Sequence, residues 1–522
     1  MSTIKLKRPV ENLKAVLTVK KNGITAAYEV ETGETILAVL RRENVFIPAF
    51  CGGHELCGKC RVFASGALSA PTEAEKEKLT PEELAAGVRL ACSARVEGDV
   101  SVSVPDDGEY SVLTDVGDAS PDYFPSCWEG LGAAIDVGTT TVAVYIYSLE
   151  TRRRVGVVSG VNCQQTLGAD VISRIEYCLN NADGSKRARE LITGQINDML
   201  SGFGKARGVP VKSIRSVTIA GNTAMLYLLT GRSPKPLSAA PFEADELFGS
   251  FHKAADLGFE LPEANVYLLP CVSAFIGGDI TAGILSSGLH QTEKNTLLID
   301  FGTNGEMALA ANGGITCCST AAGPAFEGAR ISCGVGGVPG AINRVTLENG
   351  KPVPQTIRGT YPVGLAGSGL IDAAACLRRL GKLDESGRLS APFALAEGVT
   401  LLPQDVRELQ LAKSAVRAGA ETLLEKAGLT AADLDEVLLT GGFGAGLDKG
   451  NALALGLLPE VPAEKVRALG NCAGAGAVRT LLDPMALAEL ERITAKAKTV
   501  QLDGDPSFSE KFMEYMTFPP IK

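Results

Sequence analysis

Cys51, Cys57, Cys60 and Cys92 stand in the segments CGGHELCGKC and RLACSARVEGDV, with gaps of five, two and thirty-one residues. Thiolates are soft ligands. Three from one tight loop, with a fourth returning from far along the chain, is how a fold encloses a [2Fe–2S] cluster. The plant-type spacing is C-x4-C-x2-C with a remote fourth cysteine, and the first gap here is one residue longer. Zinc sites usually draw on two close pairs, so the spacing favours the cluster over zinc. His54, inside the ligand loop, reads as a solvent-facing residue rather than a ligand. The chemistry such a set can do is one-electron transfer. The other nine of the thirteen cysteines are scattered, and most read as small buried side chains.

A second set of residues points to phosphate chemistry. In LGAAIDVGTTTVAVYIY an apolar strand runs into Asp136, then a Gly138-Thr139-Thr140-Thr141 turn, then a second strand. TLLIDFGTNGEMALA repeats the pattern, with Asp300, Gly302 and Thr303 in the places of Asp136, Gly138 and Thr139. Each turn offers backbone N–H groups and hydroxyls to an anion, with an acid at its base for Mg2+. Two such hairpins facing each other can clamp a phosphate chain. A third element, EVLLTGGFGAGL, places a strand before Gly441, Gly442, Phe443 and Gly444. This order resembles the actin-like ATPase fold of sugar kinases and Hsp70-type chaperones. In that fold a strand-Gly-Gly turn approaches the adenosine where a Cβ would clash. There is no GxxxxGK[ST] motif and no GxGxxG turn after a strand, so flavin or NAD binding has little support.

The elements that must position these residues can be read in outline. AVLTVKK and TAAYEV are short strands joined by Asn22-Gly23, a hairpin signal. ETGETILAVLRREN reads as a helix with Ile36, Leu37 and Leu40 on one face and Arg41 and Arg42 near its C-terminus. RVFASG and SARVEGDVSVSVP close a β-grasp sheet around the cysteine loop. Residues 105–130 are acidic, rich in Pro, Gly, Ser and Asp, and carry the only Trp, Trp128. They read as a linker, either a tether that lets an electron carrier visit several surfaces or a packed connector. The chain of 522 residues is too long for one core. The expected architecture is α/β and multidomain. It has a ferredoxin-like domain at 12–107, a linker at 108–130, a first actin-like lobe at 131–293, a C-terminal actin-like ATPase domain at 294–502, and a tail at 503–522.

Composition excludes other classes. Hydrophobic content of 45% and charge of 21% are ordinary for a globular protein. A net charge of −10 gives no case for nucleic acid. MSTIKLKRPVENLK lacks a signal-peptide shape, and no apolar run reaches membrane-spanning length. A cytoplasmic, reducing setting without a membrane partner is the expectation.

Over nearly its whole length the chain resembles the reductive activators of corrinoid-dependent enzymes. The resemblance is carried by the cysteine pattern, DVGTTT, NCQQTLGADVISRIEY, IAGNTAMLYLL, LSAAPFEA, LLIDFGTNGEMAL, CCSTAAGPAFEGARI, GLAGSGLIDA, DVRELQLAKSAVRAG, LLTGGFGAGLD and LGNCAGAGA. Three positions depart from the family: Leu226 and Tyr227 stand where histidines are expected, and Ala366 where a cysteine is. The tail has no cysteine, which fits the bacterial form with a single [2Fe–2S] cluster.

The resemblance implies an anaerobic, ATP-dependent reduction of Co(II) to Co(I) on the corrinoid protein of a methyltransferase system. A [2Fe–2S] centre at about −400 mV is too weak a reductant for that step unaided. A gap of about 120 mV opposes transfer by roughly 2.7 kcal/mol. ATP turnover would remodel the complex and alter cobalt's axial ligation. By the same resemblance, Cys51, Cys57, Cys60 and Cys92 hold the cluster, and Asp136 and Asp300 orient Mg2+. Gly138, Thr139, Thr140, Gly302, Thr303 and Asn304 contact phosphates. Gly367, Ser368, Gly369, Gly441, Gly442 and Gly444 line the nucleotide pocket. Glu306 either positions the attacking water or is a structural residue at a strand start. CCSTAAGPAFEGA either faces the partner's corrinoid, with Ser319 approaching cobalt, or is a hinge within the ATPase lobe. An upstream low-potential donor of ferredoxin or flavodoxin type is implied, and a homodimer is compatible. The contrasting expectation is a redox-sensing regulator that binds a nucleotide without turning it over.

Overall fold

The computed structural model describes residues 14–21, 23–43, 45, 47, 49, 53–55, 57–105, 114–117 and 130–521. They fall into two compact units, 1–108 with 164–169 and 109–163 with 170–522.

In the first unit, β1 (Lys14–Lys21) and β2 (Ile24–Glu31) form an antiparallel hairpin. Gly23 in its turn takes φ +76°, where a Cβ is unfavourable. Alternation along β1 sends Ala15, Leu17 and Val19 inward. Thr35 caps α1 (Ile36–Arg42) by accepting from the Ala38 N–H, and the helix buries Ile36, Leu37, Val39 and Leu40. Then come β3 (Arg61–Leu68), α2 (Glu73–Lys78), α3 (Pro81–Ala85), β4 (Val88–Leu90) and β5 (Val96–Ser103). The sheet order is β2-β1-β5-β3-β4, with β1 and β5 parallel: a β-grasp sheet.

One ion pair inside this unit was not read from the sequence. Arg89 donates to both oxygens of the fully buried Glu75, at 2.8 and 2.9 Å, and the Leu90 N–H adds a third bond at 2.9 Å. Burial opposes the charge of Glu75, but these donors together hold its carboxyl below the ordinary range. The pair locks α2 onto β4, the strand that leads to Cys92.

The second unit contains two six-stranded sheets. The first uses β6 (Leu131–Val137), β7 (Thr141–Ser148) and β8 (Arg154–Val161), followed by α4 (Val171–Asn180) and α5 (Gly184–Arg207). Next are β9 (Ile214–Gly221), α6 (Thr223–Thr230), β10 (Ser250–Lys253), β11 (Asn265–Leu268) and α7 (Gly278–Ser287). The second sheet begins with β12 (Thr296–Phe301), β13 (Gly305–Ala311) and β14 (Gly314–Thr320). A three-stranded insertion, β15 (Ala341–Glu348), β16 (Lys351–Thr356) and β17 (Gly364–Leu365), leads into α8 (Gly367–Arg379). The hairpin β18 (Phe393–Ala396) and β19 (Val399–Leu401) precedes the long α9 (Pro403–Lys426). Then come β20 (Glu436–Thr440), α10 (Gly441–Gly444), α11 (Lys449–Ala454), β21 (Val466–Ala468) and α12 (Cys472–Leu482). The chain ends with α13 (Ala486–Lys496), β22 (Ala497–Thr499) and α14 (Pro506–Glu514).

The sheet orders are β10-β11-β9-β6-β7-β8 and β21-β20-β12-β13-β14-β22. Within each, a central strand (β6 or β12) pairs antiparallel with its hairpin partner and parallel with a later strand (β9 or β20). The same wiring is thus built twice, and it places Asp136 and Asp300 at corresponding strand ends. The two central strands are buried almost throughout, as strands covered on both faces must be. α7 and α12 cross closely at Gly476, where a Cβ would lie 2.3 Å from the Ala282 carbonyl. The final twenty residues pack onto this unit. Met516 and Phe518 are buried, and Lys413 of α9 donates to the Tyr515 and Thr517 carbonyls. Most of the linker lies outside the described residues. In the part that is described, the Asp115 carbonyl accepts from the Asn471 N–H at 2.8 Å, a packed contact.

Candidate functional site: an iron–sulfur module and a two-loop phosphate cleft

In the first unit, the Sγ atoms of Cys60 and Cys92 lie 3.3 Å apart, and both residues are buried. Cys57 is half-buried and His54 is exposed. Cys51 lies outside the described residues. The Cys60 carbonyl accepts from the Ala91 N–H, which ties the ligand loop to the returning segment. An all-thiol donor set drawn from these elements fits an iron–sulfur cluster.

In the second unit, the two glycine-threonine turns face a common cleft of about 490 Å³. The first turn is held by its carbonyls. Gly138 O accepts from Asn162 Nδ2 at 2.8 Å, Thr139 O from Arg174 Nη2 at 2.5 Å, and Thr140 O from the Asn162 N–H at 2.8 Å. The Gly138 N–H in turn donates to the Thr141 carbonyl at 2.9 Å, so the turn is fixed in place on the cleft wall. The second turn closes on itself through the Gly302 N–H and the Asn304 carbonyl, at 3.0 Å.

Most of the residues singled out from the sequence line this cleft: Asp136, Gly138, Thr139 and Thr140; Asp300, Gly302, Thr303, Asn304 and Glu306; Gly367 and Ser368; Gly441 and Gly442. Gly369 and Gly444 do not. A Cβ on Gly369 would meet the Ile342 carbonyl at 2.1 Å, and one on Gly444 would meet Phe301 at 3.3 Å, so both serve packing behind the wall. Ser319 is also off the wall. It pairs with Glu306 across β13 and β14, and Glu306 pairs with Asp300 across β12 and β13. Directly opposed residues share a sheet face, so Asp300, Glu306 and the half-buried Ser319 form one row.

Four contributors were not assigned from the sequence. Asp279 opens α7 on the cleft wall. Asn471 donates to Asp136 Oδ2 at 2.8 Å and to Tyr145 Oη at 3.2 Å. Asn222 donates to Thr139 Oγ1 at 3.0 Å. Glu327 follows Phe326 and accepts from Thr140 and Thr303. An acid directly after Gly277-Gly278 was the available signal for Asp279. The others depend on long-range packing that no local pattern records.

Burial pushes the Asp136 carboxyl up to about 6, against the Asn471 hydrogen bond. Burial also takes Asp279 to about 7, and Asp300 to about 8 with help from the neighbouring charges of Asp279 and Asp136. Glu306 is raised well above the ordinary range by burial and by Asp279 and Asp300. Crowded, desolvated carboxylates of this kind favour a cation among them. Among the described residues, no three His, Cys, Asp or Glu side chains converge as a direct metal cage.

The comparisons with known proteins agree with this geometry. Residues 294–522 match the model of the C-terminal, ASKHA domain of RACo; residues 131–292 match the RACo middle region; and residues 19–97 match the 2Fe-2S iron-sulfur cluster binding domain. The chain is 33% identical over 412 residues to the corrinoid activation enzyme RamQ of Eubacterium limosum, covering 73% of this chain and 69% of that protein. The chain belongs to the reductive activators of corrinoid proteins. It is also 27% identical over 406 residues to the [Co(II) methylated amine-specific corrinoid protein] reductase of Methanosarcina barkeri, covering 70% of this chain and 72% of that one. A solved structure, the reductive activator for corrinoid, iron-sulfur protein, superposes with a TM-score of 0.71 at 28% identity, over 97% of this chain and 99% of that one. As a member of this family the chain combines a 2Fe-2S ferredoxin domain with an ASKHA domain. No described helix is long and apolar enough to cross a membrane.

Proposed function

We propose that this protein is an ATP-dependent reductive activator that returns Co(II) to Co(I) on the corrinoid protein of a methyltransferase system. The observation that carries the reading is that one chain joins a thiol set suited to a [2Fe–2S] cluster to a cleft walled by two duplicated phosphate loops. The relatives named for corrinoid activation and corrinoid-protein reduction support the same partner class.

A bound [2Fe–2S] cluster supplies a one-electron carrier. Cys51, Cys57, Cys60 and Cys92 would hold it, and it would supply the single electron that takes Co(II), the substrate metal, to Co(I). A ferredoxin or flavodoxin of low potential restores the electron. Asp136 and Asp300 would hold Mg2+, and the hydroxyls of Thr139, Thr140 and Thr303 would take phosphate oxygens. Gly138, Gly302 and Asn304 complete the loops, while Gly367, Ser368, Gly441 and Gly442 border the adenosine. Glu306, beside Asp300, positions the attacking water. Hydrolysis supplies the free energy that the unfavourable electron step needs. The working domains are 12–107, 131–293 and 294–502, joined by 108–130 and closed by the 503–522 tail. We place the protein in the cytoplasm, able to form a homodimer.

Ser319, on β14 and off the cleft wall, is assigned to the cobalt side. Ser319→Ala should slow corrinoid reduction while leaving basal ATPase unchanged. An unchanged reduction rate removes that role. The whole reading is tested by ATPase assays with and without a Co(II) corrinoid protein. Stimulation is expected. A nucleotide that binds without turnover in either case would point to a regulator instead.

A further inference from the structure

Glu327 stands between the two threonine turns. It ends a short turn, Pro324–Glu327, and is followed by Gly328 at φ +80°. Its Oε1 accepts from Thr140 Oγ1 of the first loop at 3.0 Å and from Thr303 Oγ1 of the second at 3.1 Å, and its Oε2 accepts from Thr303 at 3.0 Å. One carboxylate therefore bridges the two loops whose hydroxyls would grip the nucleotide's phosphates. Burial raises its pKa, while the two threonines and the buried Arg174 guanidinium favour its charged form. Arg174 itself donates to Thr139 O, at the root of the first loop. A carboxylate held by hydroxyls from both sides, with a cation behind, is an environment built for an oxyanion. Glu327 and a phosphate group cannot share it, because they need the same donors and repel each other.

The preceding residue ties the turn to the other end of the cleft. Phe326 stacks on Phe443 of the GGFG turn, with ring centroids 4.5 Å apart at 15°, and both rings meet Phe301 edge-on. Displacing Glu327 therefore pulls on a ring that touches the expected adenosine turn.

Resting on the ATPase reading above, we propose that Glu327 is an internal competitor for the phosphate shared by the two loops. Nucleotide binding must expel it, and with it the Pro324–Gly328 turn. Phosphate occupancy is thereby converted into movement of the segment that follows β14. The site discriminates in favour of ligands whose phosphates reach both Thr140 and Thr303. A nucleotide lacking the phosphate that spans the loops leaves Glu327 in place.

The test measures binding of Mg2+ with a non-hydrolysable ATP analogue, and of MgADP, to the full chain by calorimetry, in wild type, Glu327→Gln and Glu327→Ala. Glu327→Gln keeps the shape and removes the charge, and the alanine variant removes the side chain. Both variants should bind the ATP analogue on the order of tenfold more tightly, within the usual range of intramolecular coupling, with a smaller gain for ADP. Binding by the variants but not by wild type supports the proposal equally. Unchanged or weaker analogue binding in both variants overturns it, because Glu327 would then be neutral or a positive ligand. If no form binds nucleotide, the ATPase reading falls and the competitor role falls with it.

Discussion

A Cβ on Gly441 would lie 2.5 Å from Asp300 Oδ1 and 2.6 Å from the Phe301 carbonyl. The glycine turn after β20 is thus pressed against the acid at the end of β12. Gly441 also sits at φ +88°, while its neighbour Gly442 has open space where a Cβ would go. The two glycines serve different ends, one for packing and one for access.

Gly441→Ala should therefore cost roughly 2–4 kcal/mol through clash and left-handed strain, visible as a lower melting temperature. Gly442→Ala should leave the melting temperature near wild type and weaken nucleotide binding, because its methyl enters the cleft. Equal melting temperatures for the two variants would contradict the packing account.

Asp136→Asn should separate metal chemistry from stability. A buried carboxylate that resists ionisation costs the fold, so the amide should match or exceed wild-type thermal stability. Mg2+-dependent ATP turnover should fall by about two orders of magnitude. A variant with full turnover would remove Asp136 from the metal site.

The Glu75–Arg89 pair predicts a folding defect in the electron-transfer module. Arg89→Met leaves a buried carboxylate uncompensated, at a cost of about 3–5 kcal/mol. Iron content per chain should drop, and the double variant with Glu75→Gln should recover part of it. Iron content equal to wild type in Arg89→Met would show that the pair does not secure β4.

Lys413 gives a pH signature for the docked tail. Burial, with Arg417 nearby, takes its ammonium down to about 7, while in the unfolded chain it stays protonated to about 10.5. Above pH 7 the unfolded state binds the extra proton, so this residue's contribution to stability rises with pH. The melting-temperature difference between wild type and Lys413→Met should shift in favour of wild type between pH 6 and 8.5, as measured by calorimetry. A flat difference would mean that Lys413 keeps its proton in the fold.

Local pattern carried much of this fold. The cysteine spacing, the Asn22-Gly23 hairpin and the helix face of Ile36, Leu37 and Leu40 are short-range signals, and so are the twin Asp-x-Gly-Thr turns. The other partners come from chain segments far apart. Asn471 reaches Asp136, and Glu327 reaches Thr140, across elements whose meeting is decided only by sheet topology. CCSTAAGPAFEGA reads as a single patch for the corrinoid or a hinge, yet Ser319 and Glu327 diverge. Ser319 lies in the β14 row beside Glu306, whereas Glu327 turns into the phosphate cleft. Gly369 and Gly444 illustrate the reverse: glycines in the right motif whose missing side chains make room for packed neighbours, the Ile342 carbonyl and the Phe301 ring, rather than for ligand.

We propose that nucleotide turnover in the two-loop cleft drives an otherwise unfavourable one-electron reduction of corrinoid cobalt. The most direct measurement is anaerobic visible spectroscopy of the reduced protein mixed with a Co(II) corrinoid protein, with and without MgATP. A Co(I) band that appears only with MgATP and is lost in Asp136→Asn is expected. Co(I) formed equally well without ATP, or no Co(I) with several corrinoid proteins while the cluster is intact and reduced, would contradict it.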